Sequence, residues 1–199
     1  QSALLEAMQE RQVTIDGATM ALPTPFFVVA TLNPIEMEGT FPLPEAQLDR
    51  FLLRLELGYP STGEEAAMLD RFQDGADNIT GAAPVAGPED IARAQAAVDD
   101  VAVDGAVRNY LLAIVGATRD DERLRLGASP RAALALQRAS QAFAAIQGRG
   151  YVTPDDIKAL AAPALAHRLI VESGARLRGV TATGVIGEIL DQVDVPIEG

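Results

Sequence analysis

Helix-start signals punctuate the chain from residue 61 onward, and they restrict that stretch to a bundle of short helices. Thr153-Pro154-Asp155-Asp156 is the strongest of them. It combines an N-cap hydroxyl, a proline at the first helical position, where no N–H is needed, and two acids facing the positive helix end. Ser61 followed by Glu64 forms a capping-box pattern and predicts a helix near 62–73. Pro88 opens a helix to about Val98, and Asp104 caps another through about Thr118. Ser129-Pro130 starts one that carries Ala133, Leu134, Leu136, Ala139 and Phe143, and a last helix is predicted from about Thr183 to Val193. A glycine-, alanine- and proline-rich stretch, roughly 75–87, reads as a linker. Short helices with capped starts pack as a small all-α bundle.

The first 58 residues follow other periods. Residues 2–10 read as an amphipathic helix, with Leu4, Leu5 and Met8 at spacings of three and four. Val13 and Ile15 alternate with polar residues, Asp16-Gly17 signals a turn, and Met20 and Leu22 alternate again, which predicts a β-hairpin over 11–22. Phe26 to Ala30 is an unbroken apolar run and reads as a buried strand. It leads into Thr31, Leu32 and Asn33 before Pro34, so a polar amide stands where the strand leaves its sheet. In open α/β sheets, ligands bind at the carboxyl ends of strands. Phe51 to Leu57 alternates and suits a second strand, closed by Gly58-Tyr59-Pro60. The domain boundary falls near 58–61, with a mixed α/β unit over 1–58 and a helical unit over 59–199.

Composition narrows the chemistry. With 199 residues and 48% hydrophobic content the chain can bury a real core. A net charge of −12 disfavours non-specific nucleic-acid binding, which depends on neutralising phosphates. No apolar run approaches the roughly 18 residues of a membrane span. The absence of cysteine removes disulfides, thiolate metal sites and cysteine nucleophiles, and with no signal-peptide pattern it fits a cytoplasmic location. The single lysine, Lys158, has no glycine-rich loop before it, so the chain holds no G-x-x-x-x-G-K-[ST] phosphate loop. No hydrophobic strand ending in an acidic pair precedes Asn33.

Three polar residues stand out. Asn33, at a strand's carboxyl end, could orient a water, or simply form an Asn-Pro turn. Arg50, in Leu48-Asp49-Arg50-Phe51, offers a planar, permanently charged fork that matches phosphate oxygens; the plainer reading is an intrachain salt bridge with Asp49 or Glu45. Arg54 and Arg11 are weaker claimants to the same role. Arg131, in Gly127-Ala128-Ser129-Pro130-Arg131-Ala132, lies just inside a helix start, where a cation opposes the macrodipole, so an anion is expected nearby. Glu36, Glu38 and Glu45 sit among glycine and prolines and read as loop solvation rather than a metal set. His167 is the only histidine, and one histidine cannot build a metal site, so it reads as a packed or surface residue. The glycine-rich stretch 174–184 has no lysine and follows no strand, which argues against a phosphate loop there.

The run from Asn33-Pro34 to L-P-E-A-Q-L-D-R-F, followed by G-A-S-P-R-A, resembles the second half of an AAA+ ATPase module of the MoxR family. The resemblance covers nearly the whole chain. It implies a truncated C-terminal part of a P-loop AAA+ core, hairpin plus parallel-sheet strands, followed by an all-α lid. By resemblance Asn33 is sensor 1, Arg50 an arginine finger acting in trans, and Arg131 the sensor-2 arginine on the ATP phosphates. It implies ATP and Mg²⁺ as cofactors, with Mg²⁺ ligands outside this chain. It further implies a ring, hexameric in form, that remodels or matures client proteins, often ones with a von Willebrand factor A-like domain. A fragment of this kind would be inactive alone, and apolar surface from Phe26 to Leu32 would favour self-association. Two alternatives stay open: a magnesium-chelatase-like motor subunit, which shares the hairpin and the N-P…L-D-R-F pattern, and a non-enzymatic adaptor or assembly module. The hairpin could line a ring, touch a partner or extend a sheet.

Overall fold

The computed structural model describes residues 7–8, 10–32, 45–73 and 83–196. Asn33, Glu36, Glu38 and most of the expected linker lie outside these residues, as does the rest of the helix expected over 2–10, of which Ala7, Met8 and Glu10 are helical.

Asp16 and Gly17 both have positive φ, 51° and 79°, which matches the right-handed twist of the two strands they join. The result is the expected hairpin, β1 (Gln12–Ile15) antiparallel to β2 (Ala18–Ala21), with Val13 opposite Met20. One helical turn, Glu45–Leu48, precedes the Asp49-Arg50 pair. Helices follow as the caps require: α1 (Thr62–Gln73), α2 (Pro88–Asp99), α3 (Gly105–Asp120), α4 (Pro130–Ile146), α5 (Pro154–Leu165), α6 (Ser173–Leu177) and α7 (Ala182–Gln192). Glu64 accepts from the Ser61 amide and hydroxyl at 2.8 and 2.7 Å, closing the capping box that starts α1. Asp156 does the same for Thr153 and is also gripped by both Arg149 terminal nitrogens, at 2.8 and 2.6 Å. Burial pushes that carboxyl up, but the Arg149 and Thr153 hydrogen bonds together hold it below its ordinary value.

The core lies among α3, α4, α5 and α7. Val107, Tyr110, Leu111, Ile114, Val115 and Thr118 recur at helical spacing along one side of α3. Small residues on α4 and α5, Ala132, Ala139, Ala144, Ala161 and Ala164, let these two helices make the most extensive helix contact in the bundle. Ile114, Leu136, Ile157, Leu165 and Ile186 are sealed from solvent, each contributing on the order of 2 kcal/mol. Helix α1 has no buried residue.

The structure adds two elements too short to carry a period: β3 (Leu124–Leu126) paired antiparallel with β4 (Ile170–Val171). It also corrects two expectations. Phe26–Ala30 and Phe51–Leu57 form no strand; Phe27 and Val29 are 85% and 72% exposed, and Leu57 almost wholly so. An extended segment becomes a strand only when a neighbour completes its hydrogen-bond ladder, and among the described residues no second strand runs beside either segment. The parallel-sheet strands of the expected fold are therefore not formed among the described residues. The second segment instead fastens to the helical bundle.

Candidate functional site at the Asp49–Arg50 segment

The fastening begins at the end of α5. The last carbonyls of a helix lack partners within it and attract cations. Here Pro163 O accepts from the Arg54 backbone N–H at 2.9 Å, and Ala164 O accepts from Arg168, which sits in the 3₁₀ turn Ala166–Arg168 that follows. The Arg168 side chain is only 2% exposed. Its Nε donates to Asp49 Oδ1 at 2.9 Å, Nη1 to Leu52 O at 3.2 Å and to Ala164 O, and Nη2 to Asp49 O at 3.1 Å and Phe51 O at 2.6 Å. Every guanidinium N–H is thus used, which a buried cation requires. Burial lowers the Arg168 pKa from its ordinary value, with Asp49 opposing. His167, packed as expected, places Nε2 3.1 Å from Phe51 O, while Nδ1 is buried without a partner. Donation to that carbonyl requires the Nε2–H tautomer, and burial holds the ring's pKa below its ordinary value.

Asp49 serves more than Arg168. Its Oδ1 lies 3.5 Å from Ser129 Oγ and its Oδ2 3.8 Å from Arg131 Nε. Arg131 is half-exposed. The anion expected beside this misplaced cation is therefore present in the chain itself, 82 positions upstream in sequence number, as Asp49. The Arg131 loop is rigidly held. Ser129 Oγ caps α4 by accepting from Ala132 N at 3.2 Å, Ala128 N donates to buried Thr118 Oγ1 at 2.9 Å, and Arg119 Nε donates to Ala128 O at 2.8 Å.

Gly127 lets this loop lie against α3. A β-carbon there would come within 2.5 Å of Thr118 O and 2.6 Å of Arg119 Cα, both backbone atoms that cannot swing away. Gly127→Ala is expected to destabilise the bundle by about 3 kcal/mol, measured as a fall in denaturation midpoint at unchanged slope; an unchanged midpoint would show that the loop does not lie against α3 in solution.

Arg50 behaves differently from its neighbours. Its Nε and Nη1 are buried with no hydrogen-bond partner among the described residues. The salt bridge with Asp49 is not made, because Asp49 is committed to Arg168 and Arg131. The Glu45 side chain lies outside the described residues. Arg54 pairs with Glu56 at 3.2 Å, and Arg11 lies beside the hairpin with φ 51°. The structure thus places Arg131 against the carboxylate of Asp49, the residue that precedes Arg50 in the chain. Arg168 escaped the sequence reading; the signal available was a cation inside an apolar stretch, Ala164-Leu165-Ala166-His167-Arg168-Leu169-Ile170, which must find acceptors when buried.

Residues 1–53 match the family described as ATPase family associated with various cellular activities (AAA), and residues 116–189 match the AAA lid domain. The chain is 47% identical over 198 residues to the YeaC protein of Bacillus subtilis, covering 100% of this chain and 62% of that protein. It is 40% identical to a protein named Chaperone MoxR1 of Mycobacterium tuberculosis, over 98% of this chain and 54% of that one. It is 32% identical to the MoxR protein of Paracoccus denitrificans, over 84% and 55%. The chain thus spans between 54% and 62% of the length of these curated relatives. A crystal structure from Cytophaga hutchinsonii superposes with a TM-score of 0.88 at 36% identity, covering 98% of this chain and 62% of that one.

Proposed function

We propose that this chain, which belongs to the MoxR family of AAA+ ATPases, supplies the finger-bearing segment and lid of an ATP-driven, chaperone-like machine. The observation that carries the proposal is Arg50: a guanidinium with two buried, unpartnered nitrogens on a segment clamped to the bundle by Arg168. An orphaned buried donor is costly unless an acceptor arrives, and an anion from outside the described residues would satisfy it.

The residues fit part of an ATP site. Arg50 and Arg131 would hold phosphate oxygens, Arg50 from a neighbouring subunit and Arg131 from the lid. Asn33, outside the described residues, would orient the attacking water as sensor 1. As the family resemblance implies, Mg²⁺ would be bound by residues outside this chain; among the described residues no group of three His, Cys, Asp or Glu is placed to hold a metal. Bound Mg·ATP supplies the anhydride whose hydrolysis drives the cycle. Arg50 would stabilise charge developing on the transferred phosphoryl group, the usual effect of an arginine finger. Arg131 would couple the bundle's position to phosphate occupancy.

The whole protein would form a ring, taken as a hexamer, in the cytoplasm and remodel client proteins, with von Willebrand factor A-domain proteins among the candidates. The domain division at 58–61 belongs to this reading. Among the described residues, no helix is long and apolar enough to cross a membrane. The 1–58 unit and the lid would act together, since Arg54, Asp49, Phe51 and Leu52 are all bonded to the α5 end.

The reading is tested by ATP turnover of this chain alone and of the longer protein that carries it. The chain alone, with no phosphate loop, is expected to show none, and the longer protein to turn over ATP and to stop when Mg²⁺ is chelated. Turnover by the chain alone, or none by the longer protein, would refute it.

A further inference from the structure

The carboxylate of Asp49 stands between two cations that it holds very differently. Arg168 is buried, hydrogen-bonded at 2.9 Å and fully occupied by four carbonyls besides. Arg131 is half-exposed and approaches only to 3.8 Å, an ion pair without a hydrogen bond. A contact of that length, open to water, is worth little and is exchanged easily. The helix start beneath Arg131 gives it no compensating attraction, because the macrodipole there is positive. Among the described residues its ion-pair partner is Asp49.

We propose that Asp49 is a built-in counter-anion that competes with nucleotide phosphate for Arg131, while Arg168 keeps it anchored whichever way the competition goes. The inference rests on the proposed function and names a positioning residue that this function does not otherwise use. Without nucleotide, Arg131 leans on Asp49 and the bundle is tied to the segment carrying Arg50 through both arginines. With phosphate present, Arg131 transfers to it and one of the two ties is released. Asp49 keeps its hydrogen bond from Arg168, so the segment stays docked and the carboxylate retains a charged partner. Occupancy sensed at Arg131 thereby changes the restraint on the residue next to Arg50.

The competition predicts the sign of an affinity change. Asp49→Asn, which retains an oxygen for Arg168 Nε but loses the charge, is expected to bind ATP about two- to fivefold more tightly in the longer protein. The readout is equilibrium binding of a fluorescent ATP analogue with Mg²⁺ and no turnover. In an Arg131→Ala background the same substitution is expected to leave affinity unchanged, because the competing cation is gone. Should Asp49→Asn not fold, Asp49→Glu keeps the charge Arg168 needs and reaches nearer to Arg131; it is expected to weaken ATP binding by a similar factor. Unchanged or weaker binding by Asp49→Asn, equal tightening in the Arg131→Ala background, or unchanged or tighter binding by Asp49→Glu would overturn the inference. Failure of the unsubstituted protein to bind ATP would instead overturn the functional reading itself.

Discussion

Replacing Arg50 by alanine in the longer protein is expected to lower ATP turnover about 10³-fold, the lower end of what arginine fingers supply, while ATP affinity changes little. The reasoning starts from burial. Two of the three guanidinium nitrogens of Arg50 are out of water and unpaired, although the neighbouring carboxylate is close in sequence. That carboxylate is unavailable because Arg168 and Arg131 occupy it. Unpaired buried donors on a cation are tolerated only where the surrounding structure enforces them, and here the backbone on both sides of Arg50 is fixed by bonds from Arg168 to Asp49 O and Phe51 O. A group held in this way is preorganised for an anion that has yet to arrive, so its contribution falls on the transition state rather than on ground-state binding. Steady-state turnover beside equilibrium binding separates the two. Loss of affinity equal to the loss of turnover would make Arg50 an ordinary binding residue.

Replacing Arg168 by alanine is expected to detach the segment from the bundle while leaving the bundle folded. Five N–H bonds vanish together, one of them to a carboxylate. Removing one partner of a buried ion pair costs about 3–5 kcal/mol. The bundle need not absorb that cost, because Ile114, Leu136, Ile157 and Ile186 remain sealed among α3, α4, α5 and α7. The segment can swing away and let water satisfy its carbonyls. The expected observation is faster hydrogen exchange at the Arg54 amide, which donates to Pro163 O, by at least about 100-fold, each tenfold corresponding to about 1.4 kcal/mol. Amides inside α3 and α4 should keep their protection. Arg168→Lys should not rescue, since an ammonium has three donors and no planar fork to serve acceptors on both sides. Uniform loss of protection would mean that Arg168 holds the bundle itself together.

What was legible in the sequence was local. Ser61 with Glu64, Asp104, Ser129-Pro130 and Thr153-Pro154 each carry their own hydrogen-bond partners within four residues, so their helices begin where the caps predict. Asp16-Gly17 likewise fixes its hairpin from within. Phe26–Ala30 and Phe51–Leu57 read as strands by pattern but form none, because a strand depends on a neighbour that the pattern of one segment cannot supply. The site divides the same way. Motif and position single out Arg50 and Arg131 and offer Asp49 or Glu45 as a plain salt-bridge alternative for Arg50, but the Asp49 carboxylate faces Arg131 and Arg168, the latter from the turn after α5. Arg168 itself belongs to no local pattern; only the burial of the Ala164–Ile170 stretch makes its charge demand acceptors from residues more than a hundred positions away.

The most direct measurement mixes two defective forms of the longer protein: Arg50→Ala, which retains its own ATP site, and a form whose phosphate-loop lysine, outside this chain, is replaced by alanine but which still carries Arg50. Neither should turn over ATP alone. If Arg50 acts on the neighbouring subunit, mixing restores turnover, with a maximum at intermediate ratios where the two kinds of subunit alternate most often. Mixtures that stay as inactive as the separate forms, under conditions in which the two co-assemble, would contradict the account.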